Sequence, residues 1–387
     1  MSYTLDDYVA MIADPHRTGP YARALQRLVT SDSVVLDLGA GFGYFAVLAA
    51  KLGARHAYAI EPNDVIALGP QLARANGVAD RVTFIQGDSR DVELPERATL
   101  LVEDVRGVLP LHVARFELLA DARARLLTDD AQYVAVRDHV MAAPARHPAE
   151  VVRGRDTLSA EPHGVRLDTL LPAASDGWHR ARPRADDLLA PGCRLGTLEL
   201  PTRTDARFEG VGEWRLEADA VVDGFVVWFE SELWGDERFS AGPGPEQTVH
   251  GCLYVPLAES MRTPRGSNLG LRFCAIPVGT DYTWTWECRL DRPGDETVRT
   301  PRQSSLSGLV VTPRRLRSMS EAHRPALGRD GRRWRAAIAL AERGRTTGEI
   351  AAELMAVPRL GFGSEAAAFD WLQRVIPVLE AGSATPL

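Results

Sequence analysis

Short apolar runs and amphipathic segments alternate along the N-terminal third of the chain. The run Val34–Leu38 is apolar and β-branched, which predicts a buried strand. Glycines follow it, and an alanine-rich apolar helix is predicted over Phe45–Leu52. Further predicted strands end at Glu61, before Gly87, at Val102 and at Val136, with helical segments between them. Strands that alternate with helices are typical of a parallel sheet, so we expect an α/β fold with a Rossmann-like domain.

The pattern changes on both sides of this domain. Residues 5–29 predict an amphipathic helix, interrupted near Pro15 and Pro20. After a proline-rich linker at Pro144–Pro148, short alternating runs predict an antiparallel β-barrel or sandwich. We therefore expect N-terminal helices over 1–30, a Rossmann-like domain over 31–143, a β-barrel domain over 144–300, a linker over 301–329 and a small helical module over 330–387.

Composition and charge exclude several classes of partner. The 387-residue chain carries a net charge of −7, which argues against a broad surface for nucleic acid. Its four cysteines are scattered without Cys-x-x-Cys spacing, which fits a reducing cytoplasm and indicates no metal centre. No apolar run reaches membrane-spanning length and no signal peptide opens the chain. We therefore expect a cytoplasmic protein without membrane contact.

The glycine-rich turn after the first predicted strand is the strongest candidate ligand site. Glycine lets the backbone approach a ligand closely, and the helix that follows presents free N–H groups. Gly41, Gly43 and Ala46 satisfy the weak Gly-x-Gly-x-x-Gly/Ala pattern of dinucleotide-binding folds. That pattern leaves Asp37 and Gly39 unexplained, and a carboxylate at this place would repel a pyrophosphate.

The stretch over residues 37–43, with the pattern Asp-x-Gly-x-Gly-x-Gly, resembles the turn of class I methyltransferases that bind S-adenosylmethionine (SAM). In that family the acidic residue and the glycines hold the amino-acid end of the cofactor. The resemblance implies that Glu61 and the adjacent Pro62 lie at the ribose, because a carboxylate can accept hydrogen bonds from both ribose hydroxyls. It also places Asp88 and Ser89 at the adenine, although Asp88 can alternatively be an ordinary turn cap.

The segment Met11–Tyr21 resembles a pattern of protein arginine methyltransferases, Met-Leu-x-Asp-x-x-Arg-Thr-x-x-Tyr, in front of the nucleotide fold. In that family the segment closes over the cofactor, and its arginine pairs with the SAM carboxylate. The resemblance implies this role for Arg17, whose planar guanidinium suits a bidentate contact. The family often has a histidine three residues before the methionine, where this chain has Tyr8.

Glu103 and Asp104 follow the fourth predicted strand, at the edge where open α/β sheets bind ligands. The arginine methyltransferases carry two glutamates here, nine residues apart, and both clamp the acceptor guanidinium. Glu103 matches the first, and we expect it to orient or deprotonate the acceptor and to border the cofactor. The second place falls on His112, which offers a base that titrates near neutral pH. The alternative for His112 is a loop histidine without a chemical role.

The resemblance continues through the second predicted domain. Residues 223–230 are similar to the family's Gly-Phe-x-x-Trp-Phe-Asp strand, and 240–243 to its Ser-Thr-x-Pro turn. The Thr-His-Trp signature has its histidine one place late, at His250, and strand alternation predicts that this side chain points to the opposite face. Residues 154–182 take the place of the family's dimerisation arm, so the resemblance implies a homodimer.

The last predicted helices form a separate module. Thr346 and Glu349 make a capping box, and the helices resemble a winged helix with a strand-like break at 357–362. The run 330–351 is similar to PqqD-like precursor-peptide recognition domains. Arginines precede the would-be recognition helix, which itself carries glutamates, so we do not expect DNA binding.

These motifs indicate a SAM-dependent methyltransferase that resembles the protein arginine methyltransferases. Because the glutamate pair and the Thr-His-Trp signature are altered, we expect transfer to a nitrogen or oxygen of a peptide or small molecule, in a biosynthetic pathway. One alternative is a genuine arginine N-methyltransferase in which Asp104 supplies the missing carboxylate. The other is a protein that binds SAM without turnover.

Overall fold

The computed structural model describes residues 3–175, 177–294, 297–308, 311–379 and 385–386. The chain forms two units, Met1–Leu309 with Ala384–Leu387, and Val310–Ser383. Within the described ranges, no helix is both long enough and apolar enough to cross a membrane.

Two helices precede the first strand. Helix α1 (Leu5–Ala13) begins at a capping box formed by Thr4, and α2 (Pro15–Leu28) begins at Asp14. The Asp14 side chain accepts the backbone N–H groups of His16 and Arg17, which α2 would otherwise leave unpaired. The predicted interruption near Pro15 is therefore a sharp junction between two capped helices, whereas Pro20 lies within α2.

A parallel sheet forms the centre of the first unit, and it confirms the predicted Rossmann-like domain. Its strands lie in the order β3-β2-β1-β4-β5, so the order reverses between β1 and β4. The carboxyl ends of these two strands border the crevice in which open sheets bind ligands. The elements are β1 (Val34–Leu38), α3 (Tyr44–Lys51), β2 (His56–Glu61), α4 (Gly69–Ala75), β3 (Val82–Gln86), β4 (Ala98–Glu103), α5 (Val113–Arg125) and β5 (Leu127–Val134).

Two antiparallel sheets follow. One has the order β7-β12-β10-β6-β8, with β11 beside β10, and the other has the order β15-β14-β13-β9, with β16 beside β14. Buried and exposed side chains alternate strictly along β9, as expected of a strand with one face in the core. The elements are β6 (Arg137–Ala145), α6 (Ala149–Ser159), α7 (Leu171–Ser175), β7 (His179–Ala181), β8 (Cys193–Glu199), β9 (Phe208–Arg215), β10 (Ala220–Trp234), β11 (Glu237–Ser240), β12 (Cys252–Thr263), β13 (Asn268–Val278), β14 (Asp281–Asp291), β15 (Val298–Arg299) and β16 (Gln303–Ser304).

The boundary between the two domains lies earlier than predicted. The sequence analysis kept the residues up to 143 in the Rossmann-like domain and made Pro144–Pro148 a linker. In the structure β6 already pairs with β10 and β8, and Pro144 lies within it. Because β6 is buried on both faces along most of its length, its apolar sequence resembles that of a parallel strand and hides the boundary.

The C-terminal unit is built from helices around a small apolar core. Its helices are α8 (Pro313–Ser318), α9 (Arg329–Ala341), α10 (Thr347–Met355) and α11 (Glu365–Leu379). Helix α10 begins at the predicted Thr346–Glu349 capping box. The strand-like break expected at 357–362 is instead a 3-10 helix, Pro358–Leu360. Outside this unit, β17 (Thr385–Pro386) lies antiparallel beside β3.

Candidate active site

The turn after β1 brings three glycines with positive φ against the start of α3. Gly39, Gly41 and Gly43 have φ angles of 71°, 58° and 83°, which residues with a Cβ rarely adopt. A Cβ on Gly41 would lie 2.8 Å from the ring of Tyr8, and one on Gly39 would lie 2.9 Å from Cγ2 of Val105. The glycines therefore allow α1 and the loop after β4 to close on this turn.

Two buried carboxylates flank the turn. Asp37 Oδ2 accepts a backbone N–H of α3 at 2.9 Å, and burial raises the pKa of Asp37 to about 7. Glu61 accepts the N–H groups of Gly41 and Asn63, each at 3.0 Å, and burial raises its pKa as well. A carboxylate oxygen can accept more than one hydrogen bond, so both groups fit the ammonium and ribose hydroxyls of SAM. Pro62, beside Glu61, is exposed.

Arg17 is buried at the start of α2, beneath α1. Its Nη1 donates to the backbone oxygen of Met11 at 2.9 Å, and its Nε donates to the Asp104 carboxylate. Asp14 ties the same segment to the second domain, because its Oδ2 accepts the backbone N–H of Val249 at 2.8 Å. The contact of Arg17 with a SAM carboxylate stays a prediction, and in the structure Asp104 holds this guanidinium.

The Asp88–Ser89 corner opens a short 3-10 helix after β3. Asp88 caps that helix and pairs with Arg90 at 2.6 Å, and the hydrogen bonds from Arg90 hold the pKa of Asp88 below its usual range. Ser89 is buried, and its hydroxyl has no hydrogen-bond partner among the described residues. The structure thus shows the turn-cap alternative for Asp88, and the contact of this corner with adenine stays a prediction.

Glu103 ends β4, in register with Leu38 of β1, and is almost completely buried. Its carboxylate faces Arg115 of α5, with Arg115 Nε 3.1 Å from Oε2 and Nη2 donating to Oε1. Arg115 Nη1 also donates to Asp138 Oδ2 at 2.8 Å and to the Pro110 backbone oxygen at 3.0 Å. Arg115 is therefore held by two carboxylates at once.

Arg106 connects the remaining acidic groups. Its Nη1 donates to Asp104 at 2.6 Å, and its Nε and Nη2 donate to Asp138 at 3.2 and 3.0 Å. Burial alone would raise the pKa of Asp104, but the guanidinium groups of Arg17 and Arg106 hold it far below its usual range. The guanidinium groups of Arg106 and Arg115 likewise keep the pKa of Asp138 low, against the effect of burial.

We call these six buried side chains the charge cluster. It contains three guanidinium groups and three carboxylates, so its net charge is zero, and no described carboxylate in it lacks an arginine partner. The members are Arg17, Arg106, Arg115, Glu103, Asp104 and Asp138.

The two candidate histidines lie differently from the sequence expectation. His112 precedes α5, is accessible to solvent and makes no capping hydrogen bond. Partial desolvation of its ring, and then the nearby charge of Arg115, lower the pKa of His112. Its role as a base stays a prediction. His250 was expected to point away from the site, and that expectation is wrong. Its buried ring faces the loop after β4, with Nδ1 3.1 Å from the Gly107 backbone oxygen, while Nε2 has no described partner.

Sequence reasoning missed three charged residues of this site: Arg106, Arg115 and Asp138. Asp138 lies on β6, which the sequence analysis assigned to the wrong domain. Arg115 precedes Phe116 in a helix whose amphipathic pattern gives no sign of a buried charge. The one available signal was the position of Arg106 just after Glu103 and Asp104. Among the described residues, no group of three or more His, Cys, Asp or Glu side chains could hold a metal ion.

The parallel sheet, the glycine turn and the carboxylates of Asp37 and Glu61 define the class as a SAM-binding methyltransferase fold. The family model of the TRM5/TYW2 methyltransferase domain matches residues 16–112. The chain is 27% identical to protein arginine N-methyltransferase 1 of Schizosaccharomyces pombe, over 65% of this chain and 78% of that protein. It is 34% identical to probable histone-arginine methyltransferase 1.4 of Arabidopsis thaliana, over 67% of this chain and about half (52%) of that protein.

Solved structures agree on the fold. Arabidopsis thaliana protein arginine methyltransferase 10 has a TM-score of 0.69 at 17% identity, over 78% of this chain and 97% of that one. The Trypanosoma brucei PRMT1 enzyme-prozyme complex with AdoHcy has a TM-score of 0.69 at 19% identity, over 77% of this chain and 96% of that one. These likenesses concern the fold alone.

The comparisons confirm the family resemblance that the sequence motifs indicated. The chain is a SAM-dependent methyltransferase that resembles the protein arginine methyltransferases. They do not support the expected biosynthetic role, and they favour the arginine methyltransferase alternative instead.

Proposed function

We propose that this enzyme transfers methyl groups from SAM to a guanidinium nitrogen of arginine in a protein or peptide. The curated relatives, which are named as arginine methyltransferases, support this acceptor. The observation that carries the proposal is Glu103 at the carboxyl end of β4, beside the glycine turn, because its carboxylate binds a guanidinium in a bidentate contact, that of Arg115.

The chain's own residues divide the work. Asp37, the glycine turn and Glu61 bind SAM, which supplies the methyl group when bound. Glu103 orients the acceptor guanidinium, since a bidentate carboxylate fixes a planar cation. His250 is the candidate proton acceptor, because its Nδ1–H donates to Gly107 and leaves the Nε2 lone pair available.

Methylation of defined peptides tests the acceptor. The enzyme is incubated with labelled SAM and either an arginine-rich peptide or the same peptide with lysine at each arginine. We expect label on the arginine peptide only, and mass spectrometry should place the methyl group on the guanidinium. Label on the lysine peptide, or only on an acceptor without arginine, would contradict the proposal. Glu103→Gln should reduce turnover by about a hundredfold or more if the carboxylate positions the acceptor.

An uncharged nitrogen or oxygen acceptor is the second candidate. It is favoured by the zero net charge of the charge cluster, in which each of the three carboxylates is already paired with an arginine and none is left for an incoming cation. His112 would then act as the base, and His112→Gln should lower turnover by about a hundredfold or more. The variant should also lose an acidic limb of the pH profile below about 6.5, since the pKa of His112 is lowered. Wild-type turnover in that variant would exclude His112.

We propose a homodimer, formed through residues 154–182. Apolar side chains are exposed there, including Val165, Leu170 and Trp178. Light scattering after size exclusion should show a dimer for the wild type and a monomer for Leu170→Asp. A monomeric wild type would contradict this assignment.

We propose that the C-terminal helices bind part of a peptide acceptor. Deleting residues 311–383 should leave transfer to a short peptide nearly unchanged and should raise the KM for a long one, because tethering raises the effective concentration. Equal KM values for the long peptide before and after deletion would remove this role.

A further inference from the structure

The position of Arg115 extends the proposed function. In the related family, two glutamates clamp the guanidinium of the acceptor, and the second of these falls on His112 in this chain. The structure nevertheless contains two carboxylates around one guanidinium. They are Glu103, at the end of β4, and Asp138, on β6, and the guanidinium between them is that of Arg115.

The guanidinium of Arg115 is bound as a ligand would be bound in a preformed site. The side chain is completely buried, and its Nε, Nη1 and Nη2 all donate. Both oxygens of Glu103 are used in a bidentate contact, which is the geometry by which a carboxylate recognises a planar guanidinium. The Pro110 backbone oxygen accepts a further N–H at 3.0 Å. A carboxylate that already binds one guanidinium through both oxygens cannot bind a second guanidinium in the same plane.

We propose that Glu103 and Asp138 form a guanidinium-binding site and that Arg115 occupies it as an intramolecular stand-in for the acceptor. An arginine side chain of a substrate binds there only when Arg115 leaves. Arg115 is thus a specificity-determining residue that sets how readily this enzyme accepts arginine. The role of Arg115 in acceptor choice rests on the proposed function, whereas the existence of the guanidinium-binding site does not.

Charge balance gives the physical reason. The charge cluster is neutral with Arg115 in place, so a further guanidinium would add an uncompensated buried positive charge. An unpaired buried charge is strongly unfavourable. Removing the Arg115 side chain leaves one negative charge and a space shaped for a guanidinium, and a small guanidinium ion should restore both.

Chemical rescue of Arg115→Ala tests the binding site without any methyl transfer. Methylguanidine is added at low millimolar concentration to the full-length variant, with sodium chloride at equal ionic strength as reference. We expect a saturable rise in Tm for Arg115→Ala, because a ligand that binds only the folded state stabilises it. The wild type should show no such rise. Ethylammonium, a cation of similar charge without the planar fork, should be at least about tenfold weaker, that is about 1.4 kcal/mol.

Arg125→Ala is the matched control. Arg125 lies on the same helix and also pairs with a carboxylate, that of Asp121 one turn earlier in the helix, but this pair is partly exposed. Methylguanidine should not stabilise this variant. Equal responses of the wild type, Arg125→Ala and Arg115→Ala would overturn the proposal, since they would show non-specific binding.

A second variant keeps the test decisive if Arg115→Ala does not fold. Arg115→Gln keeps a hydrogen-bonding side chain but removes the charge, and it should also gain stability from methylguanidine. If Arg115→Ala is insoluble, methylguanidine present during expression should restore soluble protein. Failure of that restoration together with an unresponsive Arg115→Gln would overturn the proposal.

Activity separates this inference from the proposed function. With an arginine peptide, Arg115→Ala and Arg115→Gln should have a KM at least about tenfold below that of the wild type, about 1.4 kcal/mol of acceptor binding. Rescue by methylguanidine without transfer to any arginine peptide would contradict the proposed function and leave the binding site standing. Transfer by the wild type with unchanged KM in both variants would overturn the role of Arg115.

Discussion

The Nδ1 atom of His250 lies 3.1 Å from the backbone oxygen of Gly107, so the imidazole joins the second domain to the loop that follows Glu103. A histidine directly before a strand was expected to follow the strand's alternation. Residue 250 instead lies in a turn, ahead of β12, and Gly251 has a φ of 66°. The turn releases His250 from the strand's face pattern and points its ring towards the site.

Protonation of His250 should make the fold weaker at acidic pH. Burial lowers the pKa of His250, so the folded state keeps the ring neutral, whereas the unfolded chain binds a proton below about 6.5. The unfolded state then binds more protons, and stability falls as the pH drops through that value. Between about pH 7.5 and 5.5, urea unfolding should show a larger loss for the wild type than for His250→Gln. Exposed His163, changed to Gln, is the control; equal losses in all three proteins would contradict this prediction.

The affinity for SAM should rise with pH through the titration of Asp37. Burial raises the pKa of Asp37 to about 7, so part of the protein carries a neutral carboxyl group near neutral pH. A cationic ligand prefers the ionised form, and its affinity should therefore increase from about pH 6 to about pH 8 and then level off. Calorimetry on Asp37→Asn should give weaker binding without this rise. The same pH dependence in the variant would assign the titration to another group.

A branched side chain at Gly41 should block the cofactor site. Gly41 has a φ of 58°, and its Cβ would lie 2.8 Å from the ring of Tyr8. Gly41→Val should therefore reduce the affinity for SAM by more than about tenfold, which is about 1.4 kcal/mol. Gly244→Val is the control, because a Cβ there meets no atom within 4 Å. Unchanged affinity of Gly41→Val by calorimetry would show that this turn is not the cofactor site.

The Asp138 carboxylate should be needed for stability as well as for the site. Asparagine at this position removes one of the two buried carboxylates that pair with Arg106 and with Arg115, and breaking a buried ion pair typically costs about 3–5 kcal/mol. Asp121→Asn breaks the partly exposed pair with Arg125 and should cost about 1 kcal/mol or less. Urea unfolding compares the two variants. Similar losses would mean that the buried pairs of Asp138 contribute little.

The local and periodic features were predictable from the sequence. The apolar run of β1, the glycine turn and the acidic ends of β2 and β4 are each carried by a few neighbouring residues. Strand ends in a parallel sheet meet at one edge, so the pattern alone places Asp37, Glu61 and Glu103 together. The capping boxes at Thr4 and Thr346 are of the same local kind, and the second was predicted from its spacing.

Only the tertiary structure decided how the charges pair. Arg115, Glu103 and Asp138 come from a helix and from strands of two different sheets, and no spacing rule connects them. The pairing depends on burial, because charges removed from water must find partners of opposite sign wherever the packing brings them. The sequence by itself therefore determined a SAM-binding fold with a carboxylate at its acceptor edge. The tertiary contacts of Arg115 with Glu103 and Asp138 decided that this carboxylate already holds a guanidinium, because desolvation makes an unpaired charge too costly there.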